Sequence, residues 1–452
     1  MRSFRAQCDR FSITGVTLAQ TPSASPLGRQ TLLVLDPGHF HAALTLRRSH
    51  VRLNDDVYVY ATDGPDVDAF IELVENFNQR TEDPTHWRLH VYRGDDPLER
   101  LLSERRGAVV VLAGKNDTKL SRIARLHEAG MFVLGDKPWL IQPEQLDLVL
   151  GVATSAPLAM DIMTERHEIA SRVQKTLMAR AEVFGALRND NEQPTISIKS
   201  THHLYKTVNG RPLVRPDWYF DVDVQGEGIT DVTTHLVDLV QWMVGGEPLE
   251  YATDVELVSA RQWPTPVPLE MYTQITGLTS FSPALRDRVE NATLAYLCNA
   301  AIAYRLRGMP VQIESVWALE IPKGGGDLHW CQVRGEKADL IVEQSAATRF
   351  VPELFVYPAA PGDRYAIALG QAVAALQPAF PGLALDPADG GAFHIRIPQT
   401  LRTTHEQHFA AVLDQFLSLV GGSTVPPNLI PDLICKYTLL ARATQLARAP
   451  RI

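Results

Sequence analysis

Short apolar runs and stretches of helical period alternate through the first third of the chain. Residues 31–36 form a continuous apolar run that stops at Pro37 and Gly38, which predicts a buried strand, a tight turn and a helix. Residues 57–61 read as a second strand, and 66–78 as a helix with Val67, Phe70, Leu73 and Val74 on one face. A short strand over 89–92 precedes a helix over 97–104. Residues 108–113 form a buried strand closed by Gly114, and 119–129 its crossover helix. The next strand, 132–134, ends at Asp136, Lys137 and Pro138, and 158–162 is the last strand of the series. Strands alternating with helices imply βαβ units on a parallel sheet.

After Pro157 the rhythm changes. Residues 165–181 are helical. Strands then dominate, at 195–200, 294–306, 311–319, 328–333, 339–342 and 354–357, many of them alternating apolar and polar positions as a half-exposed antiparallel sheet does. A helix over 231–243 interrupts them. Late helices are expected at 401–420 and 429–447, split by Gly421, Gly422, Pro426 and Pro427. The fold class is therefore α/β: an N-terminal doubly wound parallel sheet followed by an α/β domain with an open, mostly antiparallel sheet. The expected division is a variable lead-in over 1–30, a nucleotide-binding domain over 31–160 and a second domain over 161–452.

Length and composition narrow the class. A chain of 452 residues is long enough for two cores, and 45% hydrophobic with 21% charged residues is the balance of an ordinary globular protein. A net charge of -9 argues against a nucleic-acid surface. Cys8, Cys298, Cys331 and Cys435 show neither a disulfide framework nor a zinc spacing, so they read as reduced thiols. No apolar run is long enough for a membrane helix. Residues 11–19 make a poor export signal, so a cytoplasmic location is expected, with periplasmic export as the alternative.

The first βα turn is an altered dinucleotide fingerprint. In G-x-G-x-x-G the glycine positions are taken by Asp36, Gly38 and His41, so Gly38, His39, Phe40 and His41 would face a pyrophosphate. Asp63, at the end of the second strand, would hold ribose hydroxyls and favour NAD over NADP, with no arginine following in the turn to receive a 2′-phosphate. Ala113, Gly114 and Asn116 close the strand that faces the same crevice. Lys137, stiffened by Pro138 and preceded by Asp136, stands at another strand end. Asp231 and His235 share one helix face at i and i+4, and with Lys137 could form a proton-transfer site for an alcohol or ketone. A metal reading of Asp231, His235 and Asp238 lacks a convincing ligand set, and no metal is expected. His405 and His408 stand at i and i+3 and do not fit H-E-x-x-H, so they read as part of an amphipathic surface helix. His202, His203, Arg215, Trp218 and Tyr219 suit the face of a polyol.

Together these residues resemble the glucose–fructose oxidoreductase/inositol dehydrogenase family (Gfo/Idh/MocA). Residues 129–138 are similar to its A-G-x-x-V-x-x-E-K-P segment, with Asp136 for glutamate. Residues 218–238 are similar to its W-x-x-D…G-G-G-x-x-x-D-x-x-x-H-x-x-D segment, with Glu227 for a glycine. Residues 161–166 and 200–203 resemble a subgroup of oxidoreductases with a distinctive C-terminal domain. The resemblance implies a Rossmann domain, a second domain that binds substrate and mediates homo-oligomers, and catalytic roles for Lys137, Asp231 and His235. Glu165, His203 and Trp218 would join Asp231 and His235 around a carbohydrate or polyol substrate. On this reading His235 takes the hydroxyl proton, Asp231 orients the imidazole and Lys137 holds the substrate oxygen. The expected activity is NAD-dependent oxidation of a hydroxyl of a sugar, glycoside or cyclitol. The alternatives are a redox-neutral, NAD-dependent glycosidase or lyase acting through transient C3 oxidation, and a non-catalytic nucleotide or sugar sensor.

Overall fold

The computed structural model describes residues 28–190, 193–208 and 211–450. Residues 1–27, which hold most of the expected lead-in, the candidate export segment and Cys8, lie outside the described residues, and Gln30 already belongs to the first strand. Six parallel strands open the fold: β1 (Gln30–Leu35), β2 (Leu53–Ala61), β3 (Arg88–Arg93), β4 (Val109–Leu112), β5 (Phe132–Gly135) and β6 (Ala159–Asp161). Their order is β3-β2-β1-β4-β5-β6, that of a Rossmann sheet. The continuous apolar runs are explained by burial on both faces: Leu33 and Leu35 of β1 enter one core, Leu32 and Val34 the other.

Chain order does not predict how the second face is covered. The helix after β1 is only five residues long, His41–Thr45. The helix His405–Val420 packs beside it. Its Phe409, Val412, Leu413, Phe416, Leu417 and Val420 recur at helical spacing and join Leu32, Val34, Val57 and Val111 in one core. Amphipathic it is, yet His408 lies buried, so this helix is a cover for the first sheet. The distant partner could not be read from local periodicity.

The second sheet has ten strands. Along its path lie Val255–Pro268, Thr293–Leu306, Met309–Glu320, Ile196–Tyr205, Leu328–Arg334, Ala338–Gln344, Glu353–Pro358, Phe393–Arg396 and Ala384–Pro387. Neighbours run antiparallel except Met309–Glu320 with Ile196–Tyr205. The strand Val255–Pro268 escaped the sequence reading because Pro264, Pro266 and Pro268 argue against a central strand, and it indeed lies at the sheet's edge. The helices Leu146–Ala153 and Asp363–Ala375 and the hairpin of Ala384–Pro387 with Phe393–Arg396 were also not anticipated. The last helix, Leu429–Arg448, packs on Leu146–Ala153, Val232–Val244 and Val255–Pro268, tying the two halves together. Among the described residues no helix is long and apolar enough to cross a membrane, and Cys298, Cys331 and Cys435 are buried free thiols.

Candidate active site

The carboxyl ends of β1 and β4 meet at close range. Gly38 N–H donates to Asp36 O at 2.8 Å and His39 N–H to Ala113 O at 2.9 Å. A Cβ on Gly114 would stand 2.3 Å from Asp36 O, so only glycine fits there. Asp36, in place of the first fingerprint glycine, adopts φ 42°, the left-handed region that glycine would occupy freely. Its carboxylate is neutralised by Arg122. Asp63 lies at the end of β2 as expected, but Arg93 at the end of β3 reaches it at 2.7 Å and also pairs with Asp68 at 2.6 Å. An arginine is thus present beside Asp63, supplied by the next strand instead of by the turn.

Lys137 follows β5, and its peptide bond to Pro138 is cis. Its Nζ donates to Asp231 Oδ1 at 2.7 Å. Burial opposes the charge on Asp231, and the Lys137 ammonium outweighs it, holding the carboxyl below its ordinary value. Asp231 occupies the N-cap position of the helix Val232–Val244, without a capping hydrogen bond from its side chain. The expected Asp231–His235 hydrogen bond is not formed: Asp231 Oδ2 and His235 Nδ1 are both buried without a hydrogen-bond partner among the described residues. With the i,i+4 pair split, Asp231 orients the lysine, not the imidazole. Burial first, and Lys137 second, lower the His235 pKa to about 4, so the ring is neutral at neutral pH.

Two residues beneath Lys137 lend support. Lys119 is 1% exposed, with Nζ against Asn116 Oδ1 and 3.4 Å from Lys137 O. Burial brings its pKa down to about 8. Asn116, read from sequence as a cofactor ligand, is a joint between the two halves: its amide N–H groups reach Val224 O at 3.1 Å and, from the side chain, Gln225 O at 2.6 Å.

Glu165 begins a short turn after β6, and its carboxylate lies in the field of His405, His235, His329 and His408. Burial opposes its ionisation, but these imidazoles prevail and its pKa falls to about 2. His203 Nδ1 donates to Asp327 Oδ1, 3.0 Å away, and is buried. Its neighbour His202, on the other face of the strand, is the one whose charge acts on Asp231. Trp218 Nε1 donates to Asp66 Oδ2 at 3.2 Å and so bridges to the first domain. Lys119, Asp327, His329, His405 and His408 were not assigned to the site from sequence; only their tertiary neighbours reveal them.

Asp238, seven residues after Asp231 on the same helix, is fully engaged elsewhere. It receives both branches of Arg166 and Lys436 Nζ at 2.8 Å. Lys436 also pairs with Asp161 at 2.8 Å, Tyr437 O–H donates to Asp161 at 2.9 Å, and Trp139 N–H donates to Tyr437 at 3.2 Å. This buried network fastens the last helix to β6, to the Asp231–His235 helix and to the segment after Lys137.

Residues 173–448, more than half of the chain, match the family described as "Putative oxidoreductase C terminal domain". The chain belongs to this oxidoreductase family. No curated protein matches it in sequence. The crystal structure of a "putative oxidoreductase" from Parabacteroides merdae ATCC 43184 is 39% identical, with a TM-score of 0.89 over 93% of this chain and 98% of that one. A levoglucosan dehydrogenase in complex with NADH and L-sorbose is 13% identical, TM-score 0.59, covering 92% and 96%. KijD10, a 3-ketoreductase from Actinomadura kijaniata in complex with NADP and TDP-benzene, is 14% identical, TM-score 0.55, covering 93% and 98%. These last two share the fold.

Within this oxidoreductase the departures from the wider motif have local causes. Glu227, where a glycine was expected, is buried against Arg448 at 2.9 Å and Gln262 at 2.7 Å. Gly228 is indispensable, since a Cβ there would lie 2.6 Å from the Asn299 backbone.

Proposed function

We propose that this protein is an NAD-dependent oxidoreductase that acts on a hydroxyl of a sugar, glycoside or cyclitol. The observation that carries the reading is the buried Lys137–Asp231 ion pair with the neutral His235 on the same helix, at the carboxyl edge of a Rossmann sheet, where ligands of such sheets bind. The close approach of Gly38 and Gly114 leaves backbone, without side chains, at the first βα turn, which fits a dinucleotide. Gly38, His39, Phe40 and His41 would hold its pyrophosphate and Asp63 its ribose.

Bound there, the nicotinamide supplies the hydride acceptor. His235, uncharged, accepts the proton of the substrate hydroxyl. Lys137 spends one N–H on Asp231 and keeps two for the substrate oxygen, stabilising alkoxide character as the proton leaves. Asp231 fixes the direction of that ammonium. Glu165, His202 and Trp218 border the space on the substrate side.

Dialysed protein supplied with NAD and a panel of sugars, glycosides and cyclitols is expected to generate NADH with at least one member. Failure across the panel, together with no binding of NAD or NADP by calorimetry, would leave the sensor reading instead. The ionised carboxylate of Glu165, set in the field of His235 and its neighbouring histidines, could serve as a base and favours one second reading: glycoside cleavage without net change in the cofactor. A product balance separates the two, because cleavage without accumulated NADH belongs only to the second. Association of copies through the open sheet completes the proposal, and sedimentation tests it.

A further inference from the structure

The sequence His39-Phe40-His41 brings two imidazoles to the end of β1, and the fold sets the end of β5 against them. His41 Nδ1 lies 2.9 Å and His39 Nδ1 3.3 Å from the same atom, Asp136 Oδ2. The three donor atoms all fall within 4.8 Å of one another. Packing holds the rings in place: the His39 and His41 centroids are 3.9 Å apart, edge to face, and His41 rests on Phe409 at 4.3 Å.

As a hydrogen-bonded cluster the group does not close. Asp136 Oδ2 is bonded to His41, and Oδ1 accepts the backbone N–H of Lys137 at 3.0 Å. His39 Nδ1 is buried and makes no hydrogen bond, although the carboxylate is near. A cation at the point of convergence would give every one of these lone pairs a partner.

We propose that His39, His41 and Asp136 bind one first-row divalent cation. Two imidazoles and one carboxylate form a ligand set that suits Zn²⁺ or Fe²⁺ and leaves coordination positions open. The site shares His39 and His41 with the turn assigned above to the pyrophosphate, but occupation by a metal does not depend on the reaction.

The test uses the full chain without a histidine tag, stripped with EDTA and assayed without dinucleotide or substrate. Titration with ZnCl₂, followed by calorimetry and elemental analysis, is expected to give one tightly bound ion per chain. Co²⁺ in its place is expected to show ligand-field absorption bands. His39→Gln, at the less buried ring, and His41→Ala should each weaken Zn²⁺ binding at least tenfold and erase the Co²⁺ bands, while circular dichroism verifies that they fold. His90→Ala, which removes an exposed imidazole, should change neither. Bound metal well below one equivalent, or binding that survives His39→Gln in a folded variant, overturns the proposal. Because no cofactor enters the assay, that outcome leaves the oxidoreductase reading untouched.

Discussion

Lys137 Nζ and Asp231 Oδ1 stand 2.7 Å apart although 94 positions separate the residues in the chain. Their side chains are 10% and 5% exposed, so each charge depends on the other for compensation. Removing one partner of a buried pair costs about 3–5 kcal/mol, because the remaining charge is left unpaired. Lys137→Ala and Asp231→Ala should therefore each lower stability in urea denaturation and reduce kcat/KM by about 10²-fold or more. The double variant should be less destabilised than the sum of the two, since neither charge is then left alone. Strict additivity would show that the pair contributes no coupling.

The buried histidines predict an acid-sensitive fold. His235, His167 and His408 each have the pKa lowered to about 4 from the ordinary 6.5, chiefly by burial. The unfolded chain therefore binds more protons than the folded one between about pH 6.5 and 4, and stability falls as pH falls through that window. Glu165, with its pKa at about 2, extends the loss below the ordinary carboxylate range. Melting temperatures recorded from pH 7.5 to 4 should fall steadily, and the acid limb of kcat/KM should not be centred near 6.5. A flat melting profile would contradict the neutral burial of these rings.

Cofactor choice rests on the trio Asp63, Arg93 and Asp68. Arg93 is bonded to both carboxylates, so the trio carries one net negative charge and does not invite a 2′-phosphate. Asp36 is neutralised by Arg122 and adds nothing. NAD should be preferred over NADP at least tenfold, about 1.4 kcal/mol. Asp63→Ala should narrow the gap by freeing Arg93, and Asp63→Ala/Arg93→Ala should widen it again. Competitive titration of NADH and NADPH measures all three, and wild-type preference for NADP would show that these residues do not meet the ribose.

Lys436 binds Asp238 and Asp161 at 2.8 Å each and is itself 1% exposed. Lys436→Met keeps the bulk but leaves two buried carboxylates to Arg166 and Tyr437 alone. A loss of about 3–5 kcal/mol in denaturant unfolding is expected. Because Tyr437 also receives the Trp139 N–H, two residues after Lys137, Tyr437→Phe should lower kcat more than it lowers stability.

The parallel sheet was legible because each of its strands is a local statement: an apolar run buried on both faces, closed by glycine or a charged turn. Gly38, Lys137 and the Asp231–His235 spacing were legible for the same reason, since each is a property of a few adjacent residues. What adjacent residues cannot encode is which distant group an atom meets. The five-residue helix His41–Thr45 does not announce that His405–Val420 will cover its face. The i,i+4 spacing of Asp231 and His235 places both on one helix face, but Lys137 captures the carboxylate, because an opposite charge at 2.7 Å in a buried site outweighs a neutral ring. Nothing near Asp238 in the chain indicates that Arg166 and Lys436 converge on it. Sequence alone determined the order of elements and the residue types at the crevice. Tertiary structure decided their partners, because hydrogen bonds and ion pairs are set by distance in space and these residues lie up to hundreds of positions apart in the chain.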